Sequence, residues 1–120
     1  MLRLLGAAIL LVAPGCATAE APPQVAGLYE INQMEMAGGL ELRPNGRFRY
    51  AFDYGAVSEV SEGKWAVEGA TVLLTTDPMP PKSECDRGFA SACFDRTPLT
   101  SEGENLILNR WDARIVLKPV

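Results

Sequence analysis

Phe48, Tyr50, Phe52 and Tyr54 occupy every second position of one stretch, with Arg47, Arg49, Ala51 and Asp53 between them. Side chains on a strand alternate between faces, so this stretch read as a strand carries four aromatics on one side and mostly charge on the other. Such a strand is stable only where the aromatic face is covered. The rest of the chain must therefore supply a second apolar surface.

The neighbouring residues continue the pattern. Leu40 and Leu42 alternate with Glu41 and Arg43, and Pro44-Asn45-Gly46 then breaks the run with residues suited to a tight reversal. Strands are expected at Gly27–Ile31, Leu40–Arg43, Arg47–Tyr54, Gly63–Val67, Thr71–Thr75, Asn105–Asn109 and Ala113–Leu117. Asn32–Ala37 fits a helical turn or a strand extension, and Gly38-Gly39 reads as a bend before the second strand. Gly55–Glu62 reads as a loop with Glu59 and Glu62 exposed. About seven short strands joined by Gly and Pro turns give an all-β antiparallel barrel or sandwich. With 120 residues, the chain makes one domain, expected over residues 27–118.

The first 19 residues read differently. Arg3 precedes an apolar run from Leu4 to Val12, and Ala17-Thr18-Ala19 supplies the small residues of a cleavage site. The run is shorter than the roughly 20 residues a spanning helix needs, so 1–19 is expected to be a secretory signal peptide and 20–26 a flexible lead-in. Cys16, after Ala13-Pro14-Gly15, resembles the lipid-bearing cysteine of bacterial lipoproteins, which leaves lipidation at Cys16 as the alternative. Both routes take the chain out of the cytoplasm, to the periplasm or beyond, or to the outer membrane as a lipoprotein. Beyond Cys16, Cys85 and Cys93 make an even pair, expected to be a disulfide in an oxidising compartment. Without Arg3 the chain has 10 basic and 15 acidic residues, a net charge of −5, which argues against nucleic acid and anionic lipid as partners. Membrane contact is expected only through a lipid on Cys16.

Asp77–Thr100 contains Pro78, Pro80, Pro81 and Pro98 and reads as one long loop of about 24 residues. Its expected disulfide would stabilise it by about 2.5 kcal/mol through loop-closure entropy. It also restricts Phe89, which lies between the two cysteines.

Gly27-x-Tyr29, Leu40-x-Leu42-x-x-Asn45-Gly46-x-Phe48, Gly63-x-Trp65 and Val72-x-Leu74 together resemble the cadence of small calycin-like, or lipocalin-like, bacterial envelope barrels. The stretch 27–74 is similar to the N-terminal barrel of the copper-stress outer-membrane lipoproteins. That family carries a Cys-x-x-Cys after its first strand, where this chain has Gln33-Met34-Glu35-Met36. The resemblance therefore implies a barrel more than it implies metal sensing.

Chemistry is sparse. Histidine is absent, which removes the usual general base and the commonest metal ligand. Two carboxylates out of Asp53, Glu59 and Glu62 could form a pair of the kind that hydrolyses sugars, against the plainer reading of a solvated loop. Met34 and Met36, with Met79, offer thioethers of the type Cu(I) accepts, against ordinary core filling. Tyr50, Phe52, Tyr54, Trp65 and Phe89 are the candidate ligand-binding residues, at a barrel mouth beneath the stapled loop; the competing reading of the strand aromatics is a filled core. The expected function is an exported, non-catalytic binding or interaction module of the bacterial cell envelope, without a cofactor. Its partner would be an envelope protein or a small apolar ligand. A small-ligand or copper carrier is the alternative, and a carboxylate-based hydrolase comes third.

Overall fold

A computed structural model describes residues 25–120. The expected signal peptide, Cys16 and most of the lead-in lie outside the described residues. Among the described residues nine strands form: β1 Gly27–Gln33, β2 Met36–Leu42, β3 Arg47–Tyr54, β4 Val57–Glu68, β5 Thr71–Thr76, β6 Phe89–Ser91, β7 Thr97–Glu102, β8 Asn105–Arg110 and β9 Ala113–Pro119. Eight of them close an antiparallel barrel, each pairing with the next in the chain once β6 is set aside, and β9 pairing with β1. The hairpins at Met34-Glu35, Gly55-Ala56 and Trp111-Asp112, with the long β5–β7 connection, lie at one end, called here the upper end.

The alternation in β3 decides the interior. Phe48, Tyr50 and Phe52 are buried, whereas Arg49, Ala51 and Asp53 are exposed. The surface that covers these aromatics comes from every other wall, through Ile31, Leu42, Trp65, Leu74, Leu99, Leu108, Ile115 and Leu117. Phe94 enters from the β5–β7 connection, its ring 6.1 Å from Phe48 and edge-on to Tyr50 at 5.0 Å. Tyr29 donates from its hydroxyl to the Val25 carbonyl at 2.7 Å, so this buried ring keeps a polar partner. Trp65 closes the lower end, its indole N–H donating to the Arg43 carbonyl at 2.8 Å.

Several expectations change. Gly38 and Gly39 sit inside β2 rather than before it. At Gly38 the backbone φ is +150°, and a Cβ would lie 2.2 Å from the Ala51 carbonyl oxygen, so the close approach of the two backbones requires glycine there. Gly55–Glu62 is mostly strand, because β4 starts at Val57 and outruns β5. The overhanging edge of β4 is covered by β6, which pairs with it in parallel at Ser58–Phe89, Glu59–Ala90 and Val60–Ser91. Asp77–Thr100 therefore holds β6, the first part of β7 and a 3-10 turn at Lys82–Glu84, and not a single irregular loop. Pro98 is accommodated within β7, with its ring exposed, opposite Leu73. The Cys85–Cys93 disulfide is formed, with Cα atoms 5.3 Å apart.

The β1–β9 seam is thin in backbone pairing, at Tyr29–Pro119 and Glu30–Lys118. The Gln33 side chain extends it. Its amide N–H donates to the Arg114 carbonyl at 3.2 Å, and its carbonyl accepts from the Val116 N–H at 2.6 Å, as a peptide group would. Replacing Gln33 with Ala strands both backbone groups and should lower unfolding free energy by about 1–2 kcal/mol in a urea titration, without altering the far-ultraviolet spectrum.

Candidate functional site

Counting in twos back from Trp65 places Gly63, Ser61, Glu59 and Val57 on the inner face of β4. Glu59 is thus a carboxylate inside the barrel, its side chain wholly enclosed. The sequence reading of Gly55–Glu62 as a loop puts it on the surface; the extension of β4 through this stretch turns it inward. An isolated charge in that position is strongly unfavourable, so its partners matter. Arg110, the last residue of β8, donates to it twice, from Nε at 2.7 Å and from the terminal amine at 2.8 Å. Tyr50 donates from its hydroxyl at 2.9 Å, and Trp111 from its indole N–H at 3.2 Å. The Arg110 guanidinium lies over Phe94 at 5.3 Å and over Trp111 at 5.1 Å.

Trp111 and Asp112 form the two-residue turn between β8 and β9, both with φ of +56°. Such a turn favours Asn-Gly, and the left-handed backbone costs an ordinary residue about 1–2 kcal/mol. The Trp111 bond to Glu59 and its stacking against Arg110 offset that strain. Arg110 also reaches outward to Asp86 at 2.5 Å, and the same Asp86 oxygen accepts from the Cys93 N–H at 3.0 Å. One charge chain therefore runs from the barrel interior to the disulfide-closed segment. Thr76 laces the same segment to the wall: its hydroxyl meets Ser61 at 2.8 Å, donates to the Ala92 carbonyl and accepts from the Phe94 N–H at 2.7 Å.

The electrostatics agree with a fixed structure. Burial, reinforced by the charge of Glu59 and the bond to it, pushes the Tyr50 hydroxyl well above its ordinary pKa. Burial works against the charge on Arg110, but its bonds to Glu59 and Asp86 and their charges prevail, leaving it above its usual value. Four donors surround the Glu59 carboxylate. The cluster is a clamp.

The concavity lies elsewhere, on the outer face of β1–β4. Three cross-strand rows run side by side: Leu28–Glu41–Arg49–Glu62, Glu30–Gly39–Ala51–Val60 and Asn32–Ala37–Asp53–Ser58. Small residues at Gly39 and Ala51 leave a groove of 660 Å³, with Leu28 and Val120 at one end and Pro78, Pro80 and Ser91 of the stapled segment at the other. Among the described residues the large exposed apolar side chains are Leu28, Met34, Val60, Met79, Phe89 and Val120. Leu28, Val60 and Val120 line the groove, Met79 lies between two of its prolines, and Phe89 follows on the same outer row system, beside Ser58. Half of these large exposed apolar side chains thus line one groove, as at an interaction surface. A second depression of 460 Å³ beside Trp65 is lined by Arg47, Lys64 and Arg96, whose charges are met by Asp77 and Glu68.

The candidate ligand residues do not share one site. Tyr50 and Phe52 are core, Tyr54 is half-buried at the upper end, Trp65 closes the lower end, and Phe89 is exposed on the outer surface. Of the carboxylates, Glu59 faces inward while Asp53 and Glu62 face outward, so the three do not converge. Met36 packs against the core and Met34 stands exposed on the first hairpin turn; among the described residues no cluster of three acidic or cysteine side chains is placed to hold a metal. Comparison of the chain with protein-family models, with curated proteins and with solved structures finds no match.

Replacing Arg110 with Met leaves Glu59 enclosed without its cation and should cost about 3–5 kcal/mol in chemical denaturation, while adding Glu59→Leu to that variant should recover part of the loss. A tyrosine pKa higher in the folded than in the unfolded chain gives stability that is full below the ordinary value of 10 and declines as pH rises above it. Unfolding free energy should therefore fall above about pH 10, and Tyr50→Phe should flatten that fall, as read by denaturant titrations across the alkaline range.

Proposed function

We propose that this chain is an exported, non-catalytic binding module of the bacterial cell envelope, and that the outer groove with its stapled wall is the contact surface. The observation that carries the reading is the gathering of exposed apolar side chains around one groove, on a barrel whose interior is taken up by its own rings. The filled interior turns the reading away from a carrier that holds its cargo inside the barrel. The leader-like first 19 residues and the Cys85–Cys93 disulfide support an oxidising location outside the cytoplasm.

The test places a photo-activated cross-linking residue at Val60 in the groove or, as a control, at Glu104 on the exposed lower turn, in cells. A specific adduct from position 60 and none from position 104 is the expected result. Silence at both positions overturns the reading. The intact mass of the processed protein, starting at Glu20 or at an acylated Cys16, shows whether the module is free or tethered.

A further inference from the structure

We propose that the groove receives a second copy of this chain, forming a twofold dimer in which Phe89 of each copy enters the groove of the other. The inference rests on the reading of the groove as a contact surface and names its occupant.

The floor of the groove limits what can bind. At the groove the strand edges are taken, that of β1 by β9 and Val120 at positions 28–30 and that of β4 by β6 at Ser58–Val60, so an extended peptide finds no free backbone edge there to join. The occupant must be held by side chains. Over Gly39 and Ala51 there is room for a bulky apolar side chain, and Leu28 and Val60 flank that room. The same surface carries a matching projection. Phe89 is 53% exposed, in register with Ser58 and two residues from the Val60–Ser91 pair. It stands between Cys85 and Cys93, with the Arg87 guanidinium 4.9 Å over its ring. A ring held in this way loses little freedom on association. A recess and a projection on one face are self-complementary, which is the requirement of a twofold interface.

The charges fit the same arrangement. Arg49 and Glu62 are cross-strand neighbours in the groove, and neither makes an ion pair among the described residues. Glu41 beside them is already paired with Arg43 at 3.1 Å. Under a twofold axis, Arg49 of each copy meets Glu62 of the other. Arg49 and Glu62, side by side and both without an ion partner among the described residues, are thereby satisfied together.

Sedimentation velocity on the processed protein from its native envelope, with the disulfide intact, tests this. A dimer is expected at micromolar concentrations. Val60→Asp and Phe89→Ser, both outward-facing and neutral to the core, should each raise the dissociation constant about tenfold or more while leaving the thermal transition of the monomer in place. Arg49→Glu and Glu62→Arg should each be monomeric alone and should associate when mixed, since each supplies the charge the other lacks. A monomeric wild-type chain overturns the proposal, as does a dimer indifferent to Val60→Asp or a mixture that stays monomeric. If the wild type is monomeric yet Val60 cross-links to a different protein, the copy is excluded while the groove remains the contact surface.

Discussion

A carboxylate sealed inside a small barrel is the costliest group this fold contains, and most of the upper end is arranged around it. Glu59 is tolerable only because Arg110 grips both its oxygens while Tyr50 and Trp111 donate to one of them. That requirement places the end of β8, draws the β8–β9 turn inward despite its unfavourable backbone, and aligns one hydroxyl of the aromatic strand. Through Asp86 it also reaches the disulfide-closed segment, which forms one wall of the outer groove. Interior charge and exterior surface thus belong to one connected structure.

The filled interior and the open exterior have a common origin in β3. Its aromatic face occupies the barrel together with Phe94, leaving space only for side chains. Its other face carries Ala51 among larger neighbours, opposite Gly39, and so leaves a recess on the outside. The stapled segment serves both surfaces, sending Phe94 inward and presenting Pro78, Pro80 and Ser91 at the groove.

The sequence made the barrel legible because period-two alternation in β3, the Pro44-Asn45-Gly46 turn and Trp65 all obey local rules. The features it concealed obey longer-range ones. Glu59 reads as a surface acid until alternation is counted from Trp65, and its partner Arg110 lies about fifty residues further on. β7 was hidden by Pro98, which signals a break in isolation but is tolerated where pairing with β5 covers only a few residues. Phe94 enters the core as a single inserted ring and leaves no periodic trace. The groove has no sequence signature, since Leu28, Ala51 and Val60 belong to three strands and meet only through register.

The β1–β9 seam bears on how such a chain comes to be folded. It joins positions 29 and 119, so the barrel cannot shut until Ala113–Pro119 is available. The β1–β5 meander can form from neighbouring hairpins as it is made, but its two outer edges stay open throughout. Closure is a long-range event, slow by its topology. Until β9 pairs with β1, a chain of this design keeps two strand edges unpaired and the apolar face between them uncovered.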